Sequence, residues 1–166
     1  MRDAEDIINL VTDYLKEDIN GGVTRINDAI LKENAKKGDN LLPPINSNIL
    51  IGNRLKEIVA QKDGWLVIDI TTNAEATDNY DNGAISYIVG IGYVLRENNS
   101  NNTFLKSLRM QTVLRTVMNA FYRERQGEAG FMKGEVASLF SPEKVNLGQS
   151  EIPKIASGLI YNITIF

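Results

Sequence analysis

The chain contains no cysteine and no histidine. Their absence excludes disulfides, thiolate nucleophiles, His–Asp triads and the ordinary zinc and copper sites. Any chemistry would have to run on carboxylates, hydroxyls, Lys and Arg. No apolar run approaches the roughly 20 residues of a membrane span. The acidic start, Met1-Arg2-Asp3-Ala4-Glu5-Asp6, leads into an amphipathic pattern and does not read as a secretory signal. There is no internal repeat or low-complexity tract. The net charge of −3 argues against indiscriminate binding of nucleic acid.

What is present is a 166-residue chain, 43% apolar and 23% charged, of a size that builds one core without disulfides. Asparagine is abundant, eighteen residues beside nineteen Ile. Because its amide competes with the backbone for hydrogen bonds, Asn is expected in turns and caps. A bias of the genome toward AT would give the same excess.

Ile7, Leu10, Val11, Tyr14 and Leu15 recur at helical spacing behind Asp3, a helix with an N-cap, and Gly21-Gly22 ends it. Residues 23–37 carry a weaker helical pattern stopped by Gly38. Leu41-Leu42-Pro43-Pro44 reads as extended. A small strand is expected over Asn48–Ile51 and one or two helical turns around Leu55, Ile58 and Val59. Trp65–Thr72 and Ala84–Glu97 are the longer strands, with Asn82-Gly83 as a hairpin signal between them. In the second of these, Ile85, Tyr87, Val89, Ile91, Tyr93 and Leu95 share one face and Gly90 and Gly92 lie on the other. Such a bare patch suits close approach by a helix or a neighbouring chain. Asn98–Asn102 reads as a turn. Thr103–Gln126 is the strongest helix, with Gly127 as its C-cap. One or two short strands around Glu135–Leu139, an open loop with Ser141-Pro142 and a closing strand Gly158–Phe166 complete the chain. The expected fold is a single α+β domain: a mostly antiparallel sheet with the N-terminal helix and the long helix on one face. Residues 19–62 form an irregular Pro/Asn-rich insertion in this reading.

Motifs for chemistry are incomplete. Asp78–Gly83 resembles the start of a calcium loop, but Tyr80 and Val89 occupy positions where that loop needs ligands. Gly90-Ile91-Gly92 lacks the third glycine of a dinucleotide fingerprint. Ser141–Lys144 matches S-x-x-K without its partner motifs. Asp69 with Glu75 or Asp78 would be the carboxylate pair of a small hydrolase, were they to converge. No metal or cofactor is expected.

One charge asymmetry stands out. Residues 102–127 hold Lys106, Arg109, Arg115, Arg123 and Arg125 against Glu124 alone, leaving thirteen basic and twenty acidic residues elsewhere. The first helix is acidic on its outer face through Asp3, Glu5, Asp6, Asp13, Glu17 and Asp18. The basic face is a solvated surface, a set of phosphate contacts, or half of an interface. Because the two helices carry opposite charge, they suit a head-to-tail contact between identical subunits, and such a contact closes into a ring. Arg109, Arg115, Arg123 and Arg125, with Asp6, Asp13 and Glu17, are the candidate interface or channel-facing residues.

The order of elements, carried by Asp6–Tyr14, Gly64–Ile70, Ile85–Leu95, Leu108–Tyr122 and Leu159–Phe166, resembles the tail-terminator and tail-completion proteins of tailed bacteriophages. The resemblance implies a non-enzymatic virion protein of the head–tail junction, assembled in the host cytoplasm. It implies a ring, usually a hexamer, that caps the tail tube and contacts tail-tube and neck or connector proteins. DNA would pass through its channel. Polar segments 73–83, 98–103 and 140–152 would meet the neighbouring rings.

Overall fold

The computed structural model describes residues 3–16, 25–45, 49–51, 66–73, 84–96, 100–128, 130–144 and 154–165. Helix α1 is Ala4–Lys16. Asp3 caps it: its Oδ1 accepts the Asp6 N–H at 2.9 Å, while Asp6 Oδ2 accepts the Asp3 N–H at 3.1 Å. This is a capping box with Asp in the place of Glu, and both carboxylates sit where the helix dipole favours them. Ile7, Val11, Tyr14 and Leu15 are buried and Leu10 is half-buried.

Helix α2 spans Arg25–Lys37 and buries Ile26, Ile30 and Asn34. Gly38, at φ 71°, closes it. Its N–H reaches the Ala35 carbonyl and that of Asp39 reaches the Asn34 carbonyl, the paired bonds of a Schellman motif. The weak helical pattern of residues 23–37 is thus a helix from Arg25 to Lys37. Two buried isoleucines at i, i+4 sufficed to seat a helix whose exposed residues are mostly polar.

The Pro-containing stretch after α2 is held by asparagine. The Asn34 side chain pairs with the backbone of Leu42 in both directions, at 2.9 and 3.1 Å. Asn27, two turns earlier, does the same for Ile45 at 3.1 and 2.7 Å. Pro43 and Pro44 have no N–H to satisfy, and the Leu41 N–H goes to Asp39 Oδ1 at 3.1 Å. Every backbone donor from Leu41 to Ile45 thus has a side-chain acceptor, so the segment stays ordered without joining the sheet.

The sheet runs β1-β2-β3-β5-β4, with β1 Ile49–Ile51, β2 Leu66–Asn73, β3 Ile85–Arg96, β4 Phe131–Lys144 and β5 Lys154–Ile165. Among the described strands only the β1–β2 pair is parallel. Helix α3, Ser100–Arg125, connects β3 to β4. The register sets Tyr87 opposite Ile163, Val89 opposite Tyr161 and Ile91 opposite Leu159, all buried. Helices α1, α2 and α3 bury their apolar stripes in the one core that includes this face. Phe121 of α3 is its hub, edge-on to Tyr14, Phe131 and Tyr161 at centroid distances of 4.9, 5.8 and 5.9 Å. Gly90 and Gly92 lie on the other face with Ser86 and Thr164, whose hydroxyls meet at 2.8 Å. Among the described residues no helix covers the glycines.

Three boundaries differ from the sequence reading. Helix α3 starts at Ser100, inside the expected turn, because Ser and Asn are well tolerated in a first turn whose N–H groups have no helical partner. The expected open loop at Ser141-Pro142 is strand. As the edge of the sheet, β4 accommodates a proline, and its pairing shifts between Phe140 and Glu143, where Pro142 lies. Strand β5 begins at Lys154, before the expected Gly158. Gly158 sits mid-strand against Gly92, and a Cβ on it would strike the Ile91 carbonyl oxygen and lie 2.8 Å from Gly92 Cα. The expected helical turns at 55–59, the Asn82-Gly83 turn and the polar segment 74–83 lie outside the described residues.

Candidate functional site

The charged side chains of the helical layer divide into those held within the chain and those left exposed. Near the start of α3, Arg109 grips the Asp39 carboxylate, with 2.6 and 2.7 Å to its two oxygens. This guanidinium holds the Asp39 carboxyl below its usual value. At the other end Glu124 takes Arg25 at 2.7 and 2.8 Å and accepts the Tyr14 hydroxyl at 3.2 Å. The Arg25 guanidinium also stacks over the Tyr14 ring, 4.1 Å from its centroid. Burial, with Arg25 opposing and Glu124 reinforcing, pushes the Tyr14 hydroxyl up to about 12. Arg125 pairs with Glu128 at 2.8 Å. These contacts staple α1, α2 and α3 together. Of the four arginines expected to face a neighbour or a channel, Arg109 and Arg125 have ion-pair partners in their own chain. The Arg125–Glu128 pair has an i, i+3 spacing that the sequence displays, whereas Arg109–Asp39 joins residues 70 apart.

Arg115 and Arg123 remain. Both are exposed, and neither makes an ion pair within the described residues. Asn119 is exposed between them. On α1, Asp13 is likewise exposed and unpaired, and Asp6 is exposed with one oxygen engaged in the cap. Glu17 lies outside the described residues, as do Glu75 and Asp78. The backbone of Asp69 pairs with Gly92 in the sheet, and the carboxylate pair expected with Glu75 or Asp78 lies outside what the structure describes.

Two concavities flank α3. One of about 420 Å³ lies against α2 and is lined by Asp28, Lys32, Glu33, Lys36, Thr116 and Ala120, a balanced set of charges. The other, about 560 Å³, runs between Arg115 and Asn119 on α3 and residues 134–139 of β4. Its β4 wall carries the exposed Leu139, 43% accessible. Behind Gly134 stands the buried Tyr161 hydroxyl, which has no hydrogen-bond partner among the described residues. Among the described residues no group of three or more acidic side chains is placed to hold a metal ion. No helix among them is long and apolar enough to cross a membrane.

No family model matches the chain, and no curated protein matches its sequence.

Proposed function

We propose that this chain is a structural subunit of a tailed-phage virion, forming a ring that caps the tail tube and joins it to the neck. The observation that carries the reading is the division of charge on the helical layer. Intrachain pairs take up Arg25, Arg109 and Arg125, yet Arg115 and Arg123 on α3 and Asp13 on α1 are exposed and unpaired among the described residues. Two unlike surfaces on one subunit are what a heterologous, ring-closing contact requires. The order of elements supports the same reading through its resemblance to the tail-terminator and tail-completion proteins.

Light scattering coupled to size-exclusion chromatography, with negative-stain microscopy, tests it on the full chain alone and mixed with the tail-tube protein of the same genome. Rings whose mass is a whole multiple of 18.5 kDa, seated on tube ends, are expected. A chain that stays monomeric and ignores the tube overturns the reading. Rings that bind a connector but not the tube would make it another neck subunit.

A further inference from the structure

The exposed polar residues of α3 and α1 form two stripes of matching length and opposite charge. On α3, Arg115, Asn119 and Arg123 follow one another at i, i+4 and i+8, all exposed. At a rise of 1.5 Å per residue the two arginines stand ~12 Å apart along the axis. On α1, Asp6, Asn9 and Asp13 follow at i, i+3 and i+7, all exposed, and the aspartates stand ~10.5 Å apart. Each stripe therefore reads charge, amide, charge. The Tyr14 hydroxyl of α1 bonds to Glu124 of α3, yet the neighbouring Asp13 and Arg123 make no ion pair with each other. Arg115 and Asn119 also line the concavity whose β4 wall bears Leu139, so a partner there would meet apolar as well as polar surface.

We infer that the Arg115–Asn119–Arg123 stripe of one copy receives the Asp6–Asn9–Asp13 stripe of α1 from a second copy. The two arginines meet the two aspartates, and Asn119 faces Asn9, whose amides are each donor and acceptor and so pair without a buried charge. A second copy is the occupant because the chain itself carries the complementary stripe, in sign and in spacing. The contact is heterologous: each subunit offers α3 to one neighbour and α1 to the other. This deepens the ring reading above and rests on it only for closure.

The test uses charge reversal on the intact chain. Arg115→Glu with Arg123→Glu reverses α3, and Asp6→Lys with Asp13→Lys reverses α1. Asp6→Lys also disturbs the α1 cap, so circular dichroism checks folding, and Asp13→Lys alone serves as the second α1 variant. Light scattering should show the wild type associating, and less so in 1 M salt, where the screening length falls to ~3 Å. Each reversed variant alone should associate on the order of a hundredfold more weakly, because like charges now face each other. A one-to-one mixture of an α3-reversed and an α1-reversed chain should restore assembly. Wild-type monomer under all conditions, or reversed variants that associate as the wild type does, overturns the contact. Rings that survive both reversals overturn the contact and leave the ring reading standing. An assembly lost on reversal and restored on mixing, but indifferent to tail tube and connector alike, supports the contact and removes the neck reading.

Discussion

Replacing Asn34 with alanine sets two effects of opposite sign against each other. Asn34 is 4% exposed, and its amide is the partner of both the N–H and the carbonyl of Leu42, itself 2% exposed. On helix propensity alone Asn34→Ala should stabilise α2, by about 0.5 kcal/mol. It also strips two buried backbone groups of their partner, at roughly 1–3 kcal/mol each. The net expectation is a loss of roughly 1.5–5.5 kcal/mol. Urea denaturation followed by far-UV circular dichroism reads it as a lower midpoint at unchanged slope. Lys32→Ala is the internal control, since that exposed side chain of the same helix should show only a small propensity change. Asn27→Ala, whose bonds to Ile45 are part-buried, should fall between the two. An Asn34→Ala protein as stable as the wild type, or more so, would refute the claim that side-chain amides hold the Pro43-Pro44 segment in place.

Two further outcomes follow from the core. A Cβ at Gly134 would strike the Tyr161 hydroxyl and lie 3.0 Å from its ring and 3.2 Å from that of Phe131, so Gly134→Ala should cost about 1–3 kcal/mol. Tyr161→Phe, which removes a buried hydroxyl without a partner, should be neutral or stabilising and should relieve part of that loss in the double variant, measured as a double-mutant cycle. The raised Tyr14 hydroxyl has a defined alkaline signature. The unfolded chain releases this proton near pH 10 and the folded one near 12, so its contribution to stability is complete below 10 and is lost as pH rises through that window. Tyr14→Phe should flatten the fall in denaturation midpoint between pH 10 and 12; an unchanged slope would count against the buried hydroxyl as its source.

The apolar periodicities by themselves determined α1, α3 and the central strands. Burying a 3.6-residue stripe or a 2-residue alternation is a local demand that any core would meet, and Ile7, Val11, Met110, Leu114, Tyr87 and Val89 are buried as their spacing requires. Glycine at Gly38 likewise announced its helix end, since the left-handed conformation there is costly for other residues. The fate of the polar residues was not local. Nothing near Asn34 in the sequence says whether its amide faces water or the backbone of Leu42, because that depends on where the chain returns after Gly38. The same holds for the arginines of α3. Their identical side chains part company only when α2 brings Asp39 to Arg109 and the turn after α3 brings Glu128 to Arg125, while Arg115 and Arg123 make no ion pair among the described residues. Hydrophobic burial depends on pattern and was legible along the chain. Pairing of charges and amides depends on distances of about 3 Å between groups far apart in sequence, and only the tertiary structure sets those.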